Sequence, residues 1–222
     1  MSTNTRPILL NCEMVRAILE GRKTQTRRVA TNVYYDSQYR AKWKAVCKHT
    51  EVSIDTPGAM LGDVCPYGQP GDRLWVRETW ADASYDDGLC ICYRADKERK
   101  DVTSNFAATF GRLKYANWAP DLESGAEGRW KPSIHMPRWA SRITLEITNV
   151  RVERLQDISE ADAKAEGVIG EKEAAGAGLA WYDKPRRAFQ FLWQSINGPD
   201  SWEANPWVWV IEFKRIPQEA TS

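Results

Sequence analysis

The chain has 222 residues, and its 31 Lys and Arg against 30 Asp and Glu leave a formal net charge of +1. That length can bury a full core without disulfide or metal staples. The charge balance disfavours a surface devoted to coating duplex nucleic acid, which is driven by phosphate neutralisation, and leaves room for a local basic cleft. In chain order, residues 6–10 are a short apolar run that reads as a first strand. Residues 12–19 place Met14, Val15, Ile18 and Leu19 at helical spacing, and Gly21 is positioned to end that helix in the left-handed conformation. Directly after it comes Arg22-Lys23-Thr24-Gln25-Thr26-Arg27-Arg28, with four cations and two hydroxyls in seven residues. Taken alone, such a run is a solvated basic turn.

Residues 31–58 are polar and mixed and read as an insertion. A turn-rich approach through Pro66, Gly68, Pro70 and Gly71 leads to a strand in which Leu74 and Val76 alternate with Trp75 and Arg77. Residues 81–130 read as a second insertion, with Cys90, Cys92 and Tyr93 in a hairpin strand. Pro132 and Pro137 flank His135 and predict an extended, pinned loop there. Residues 142–154 give the clearest strand, with Ile143, Leu145 and Ile147 on one face. Residues 155–167 predict a helix with Ser159 as its N-cap and Gly167 at its end. A Gly- and Ala-rich connection over about 168–186 precedes a helix at 188–196, whose Phe189, Leu192, Trp193 and Ile196 share a face. Residues 207–213 form a buried last strand. No internal repeat or domain boundary stands out, so one domain over residues 1–222 with two or three insertions is expected.

No run approaches the roughly 20 apolar residues of a membrane span. Five cysteines without an apolar leader point to the cytoplasm, reduced thiols and no membrane partner. Cys47, His49, Cys65, Cys90 and Cys92 are the candidate zinc ligands, but they lack the C-x₂-C spacing of zinc knuckles. Buried free cysteines, with no metal and no cofactor, are the expectation. Eleven tryptophans read mainly as core, with some able to form a wall for a flat ligand.

The segment from Gly21 to Arg28 resembles the G-x-K-T-x-T-x-R signature of ASCH domains. Gly71-Asp72-Arg73-Leu74 resembles that family's G-D-x-L motif, Glu166 stands at the position of its helix glutamate, and Val210-Ile211-Glu212-Phe213 resembles its closing V-I-x-F strand. The resemblance implies an α+β fold, a PUA-like mixed β-barrel with flanking helices, in a long version of the kind found in phages and prophages. Small bacterial members hydrolyse the acetyl amide of 4-acetylcytidine with a Lys, a Thr three residues on and a distant Glu. Other members are regarded as RNA-binding modules, and certain ones as nucleases.

Carried over, the catalytic set is Lys23, Thr26 and Glu166. Amide hydrolysis needs a nucleophile, a proton acceptor and a donor to the leaving amine. Thr26 would attack, and Lys23 would act as base if burial or the neighbouring Arg22, Arg27 and Arg28 depress its pKa. Glu166 would hold a proton for the amine. Arg22, Arg27 and Arg28 are also candidate phosphate contacts. Glu78 and Trp80, after the Leu74–Val76 strand, and His135 with Arg138 complete the candidate binding residues, Trp80 by stacking on a base. The expected partner is a nucleoside or a single-stranded nucleic acid. A non-catalytic nucleic-acid-binding module and a phage assembly factor with a vestigial cleft are the alternatives.

Overall fold

The computed structural model describes residues 3–36, 42–47, 50–54, 61–85, 88–102, 129–168 and 184–217. It is a mixed α+β protein, mostly strands with few helices. The first element is β1 (Thr5–Leu9), followed by α1 (Cys12–Leu19), which buries Met14, Val15 and Ile18 as their spacing predicts. Gly21 follows α1 with φ +76°, a conformation that costs a glycine nothing. The basic segment then becomes a strand, β2 (Gln25–Val29), rather than a solvated turn.

The stretch read as an irregular insertion contains an antiparallel three-stranded sheet of β3 (Val33–Asp36), β4 (Lys42–Cys47) and β5 (Thr50–Ser53), ordered β3-β4-β5. The expected strand after Gly71 is β6 (Arg73–Arg77). Within the second insertion, β7 (Trp80–Tyr85), β8 (Gly88–Tyr93) and β9 (Arg99–Val102) form another antiparallel sheet, and Cys90 and Cys92 lie on its hairpin strand as expected. The expected extended loop at His135 instead carries two short 3-10 turns, Ser133–His135 and Arg138–Ala140. Each starts from an extended proline, Pro132 (ψ 147°) or Pro137 (ψ 162°). The prolines fix where the turns begin without forbidding them.

The long strand is β10 (Thr144–Arg154). Its buried positions step by three from Ile147 to Val150, so the alternation changes phase midway. The expected helix over 155–167 is broken. A 3-10 turn at Leu155–Asp157 is separated from α2 (Glu160–Ala165) by extended Ile158 and Ser159. Ser159 caps α2 by accepting from Asp162 N–H at 3.0 Å, and a capping residue needs extended dihedrals, so no helix can run through it. α3 (Pro185–Asn197) begins with Pro in its first turn, where the absent N–H is not missed. Phe189 and Trp193 are buried, Leu192 is half-buried, and Ile196 is exposed, so the apolar face is narrower than its spacing suggests. β11 (Trp207–Ile216) is the buried closing strand.

The main sheet has the order β1-β6-β10-β11-β2. β11 pairs antiparallel with β2 in the register Val208↔Val29 through Glu212↔Gln25. Among the described residues the sheets are open. The chain divides into two compact units, the first comprising Met1–Arg6, Ala17–Leu74 and Leu145–Ser222, the second Pro7–Arg16 and Trp75–Thr144. In the first unit Leu155, Ile158, Ala163, Phe189, Trp193, Trp202, Val208 and Val210 form one apolar cluster. In the second, Trp80, Ile91, Tyr93, Met136 and Ala140 form another. No helix among the described residues is long and apolar enough to cross a membrane.

Candidate functional site

The first unit concentrates charge where a core would ordinarily exclude it. Lys23 follows the Gly21 turn, and its backbone bridges that of Glu166 at the end of α2. Gly167, φ +81°, lets the chain pass against Lys23, since a Cβ there would stand 2.7 Å from Lys23 Cβ. The Lys23 ammonium has no exposed side-chain surface and donates to Glu166 Oε2 and to the Glu166 carbonyl, both at 2.8 Å. The other carboxylate oxygen, Oε1, accepts from Arg27 Nη1 at 3.0 Å. Arg27, equally buried, reaches Glu153 through Nε at 3.0 Å and Nη2, lies 3.5 Å from Asp162 Oδ2, and sits over the Phe189 ring at 5.8 Å. Gln25 donates to the Asp162 carbonyl at 2.8 Å. Arg151 extends the network, bonding Glu153 at 3.1 Å, Asp162 at 3.0 Å and Glu212.

Burial pushes the Lys23 ammonium below its usual pKa. Glu166 opposes the shift by attraction and by its hydrogen bond, while Arg28 and Arg27 add to it by repulsion. Arg22 takes no part, since it turns to Glu20 at 2.7 Å and to the Gly167 carbonyl at 2.8 Å. For Asp162, burial alone would raise the carboxyl, but the Ser159 hydroxyl and the Arg151 and Arg27 guanidiniums hold it below the usual carboxylate range.

Strand alternation gives Gln25 and Arg27 one face of β2 and Thr26 and Arg28 the other. The Thr26 hydroxyl is buried and has no hydrogen-bond partner among the described residues, so it bonds neither Lys23 nor Glu166. Arg28 is half-buried on the same face and lies within electrostatic reach of both Lys23 and Tyr67.

The remaining candidates belong to the second unit. Glu78 is buried and forms a bidentate pair with Arg142, both contacts at 2.9 Å. Arg142 also holds Asp96 at 2.7 Å and Glu98, and its guanidinium lies 4.0 Å from the Tyr93 ring centroid. Burial pushes the Glu78 carboxyl up, with Arg142 acting against the shift. Trp80 is also buried, edge-on to Trp139 at 5.9 Å and capped by the Lys131 ammonium at 4.6 Å. Its rings are packed against protein. His135 and Arg138 are exposed, and the Arg138 guanidinium stands 5.8 Å from the Trp75 ring centroid.

The cysteines are free, and burial pushes Cys65 and Cys92 up to about 11, which keeps their thiols protonated. Among the described residues no group of three or more His, Cys, Asp and Glu is set to hold a metal ion, and His49 lies outside them.

Sequence reasoning missed Glu153, Asp162 and Arg151 around Arg27, and Arg142 with Asp96 and Glu98 around Glu78. A signal existed for the first group, since Arg151 and Glu153 stand two residues apart on one face of β10 with opposite charges. Arg142 carried no local signal.

No family model, curated protein or solved structure matches this chain. The site therefore stands on its own geometry.

Proposed function

We propose that this chain is an ASCH-type protein with a PUA-like barrel that handles a nucleobase, and that Lys23, Thr26 and Glu166 hydrolyse the amide of an N-acylated cytosine. The observation that carries this reading is the fully buried Lys23–Glu166 contact at 2.8 Å, with Lys23 three residues along the sequence from a buried threonine hydroxyl that no group among the described residues engages. Burial moves the Lys23 pKa downward, the direction that favours its use as a base. An unengaged hydroxyl is free to act as a nucleophile.

Thr26 Oγ attacks the acyl carbon while its proton passes through one water to neutral Lys23, since the two side chains make no direct bond. The carbon–nitrogen bond breaks, and the leaving exocyclic amine takes that proton back from the Lys23 ammonium, leaving an ester on Thr26. Water attacks the ester carbon, its proton going to Lys23, and acetate departs as Thr26 Oγ recovers the proton. Glu166 holds the Lys23 ammonium in place whenever it forms. Arg27, by filling Glu166 Oε1, leaves Oε2 for Lys23.

A second reading, a non-catalytic nucleic-acid-binding module, is favoured by the saturation of Glu166, both of whose oxygens are already taken by cations. In that case the cluster only anchors α2 to β2. Acetate release from 4-acetylcytidine by the purified protein separates the two. Turnover by the wild type that Thr26→Val abolishes supports hydrolysis. Absence of acetate at high enzyme concentration leaves the module.

A further inference from the structure

We infer that the second unit carries a docking surface for single-stranded nucleic acid, built from Trp75, Arg77 and Arg138, with Ile134 and His135 at its rim. Trp75 and Arg77 share the less buried face of β6, opposite Leu74 and Val76. The Arg77 and Arg138 guanidiniums stand 5.4 and 5.8 Å from the Trp75 ring centroid. Beside them Ile134 is 57% exposed and His135 is exposed. Cationic and flat apolar groups are thus interleaved within one compact unit.

What singles out these two arginines is that both lie over one indole ring and, among the described residues, have no acidic partner. Arg27, Arg142 and Arg151 are each held by two or more carboxylates. Among the described residues, neither Arg77 nor Arg138 forms an ion pair. Arg77 donates Nη2 to the Ile134 carbonyl, and its Nε is buried without an acceptor. Arg138 has one long contact, Nη2 to Thr144 Oγ1 at 3.5 Å. Partial burial lowers its pKa with no carboxylate acting the other way. Two guanidiniums placed on a tryptophan and left without a counter-charge match an anion that also presents a planar apolar face.

Single-stranded nucleic acid offers both along one chain. Its phosphates accept bidentate guanidinium bonds, and its unpaired bases stack on indole, guanidinium planes and aliphatic side chains. A duplex hides its bases, and two arginines neutralise too few phosphates to hold one by charge alone. An acidic peptide supplies the charge without the flat faces. The surface involves none of Lys23, Thr26 or Glu166 and stands independently of the proposed hydrolysis.

The test is fluorescence anisotropy of a short fluorescein-labelled RNA of mixed sequence, single-stranded and as a duplex, over a salt series. The single strand is expected to bind more tightly than the duplex. Arg138→Glu and Arg77→Ala should each weaken it about tenfold, with thermal melts unchanged. Arg138→Ala should also flatten the slope of log affinity against log salt by about 0.7, the contribution of one phosphate on a single strand. Trp75→Phe, which keeps an aromatic face, should bind better than Trp75→Leu. Single-strand binding by a protein that releases no acetate upholds this surface and sinks only the hydrolase reading. Equal binding by wild type and both arginine variants, preference for the duplex, or binding only to a poly-glutamate peptide overturns the inference.

Discussion

The Thr26 hydroxyl makes the sharpest statement at the scale of single residues, because its chemistry and its contribution to stability point in opposite directions. A buried hydroxyl with no partner costs folding free energy that an isosteric methyl avoids. Thr26→Val is therefore expected to leave stability unchanged or raise it by up to about 1 kcal/mol, while removing all acetate release. A urea melt beside an acetate assay checks this, and a loss of stability would show that the hydroxyl is engaged. Lys23 behaves in the opposite way. Lys23→Ala leaves a buried carboxylate short of one of its two cations, and breaking such a pair costs about 3–5 kcal/mol. Because Arg27 still holds Glu166, the lower end of that range is expected from the same melts. The depressed Lys23 pKa also fixes a pH dependence. Burial places the folded value below 10.5, with Glu166 opposing and Arg28 and Arg27 assisting. A base must be neutral, so kcat/KM should climb as pH rises, with a midpoint below 10.5. The sign for stability is the same. The contribution of the neutral form is complete above the unfolded value and is lost as pH falls through the folded one. A profile with no rise at any pH below 10.5 would remove Lys23 from the role of base.

At the scale of elements, everything that positions Glu166 depends on how the short α2 is started and stopped. Ser159 accepts from Asp162 N–H and donates to Asp162 Oδ2 at 2.9 Å, so Ser159→Ala should cost about 1 kcal/mol, read as a lower melting temperature. At the other end, Gly167→Ala forces a Cβ into φ +81° and to within 2.8 Å of Ala17 Cβ as well as onto Lys23. It should cost more than about 1 kcal/mol and reduce acetate release along with stability, because Lys23 has to move. Unchanged turnover in Gly167→Ala would mean that the Lys23–Glu166 contact is not needed. These elements also show what the sequence could and could not disclose. The capping serine and the two glycines were legible, because each acts through its own backbone. So were β6 and β10, whose apolar alternation is local, and β11, a continuous apolar run. The break at Ile158 was present in the sequence too, in the very serine that predicted a cap, since a cap demands extended backbone before the helix. The basic segment was not legible as a buried strand. Its buried cations, Lys23 and Arg27, are neutralised by Glu153, Asp162 and Glu166, more than a hundred residues away, and no periodicity reports a partner at that distance. The three-stranded sheet of β3, β4 and β5 was hidden for a related reason. It is short, polar and half-exposed, so pairing rather than pattern defines it.

At the scale of the whole molecule, the first unit is assembled from stretches that lie far apart in the chain. β2 at residues 25–29 pairs with β11 at residues 208–212, and the catalytic candidates lie just before β2, on β2 and at the end of α2. Non-local pairing of this kind must close long loops before any contact repays the lost entropy. Folding in milliseconds to seconds rather than microseconds follows from that topology. It also makes β11 indispensable. Without it, β2 loses its antiparallel partner, and Val208 and Val210 leave the cluster that holds Phe189, Trp193 and Trp202. Arg27 would then stand on a strand with unpaired backbone groups, Lys23 just before it, and no side-chain bond to Glu166 replaces a ladder of main-chain ones. A chain stopped after residue 206 should therefore show no cooperative melting of the first unit, and the amides of Gln25–Val29 should exchange at rates close to those of unfolded chain. If that shortened protein instead kept protected amides across Gln25–Val29, the charged cluster rather than the β2–β11 ladder would be what holds the site, and the anchoring role assigned to the sheet would be wrong.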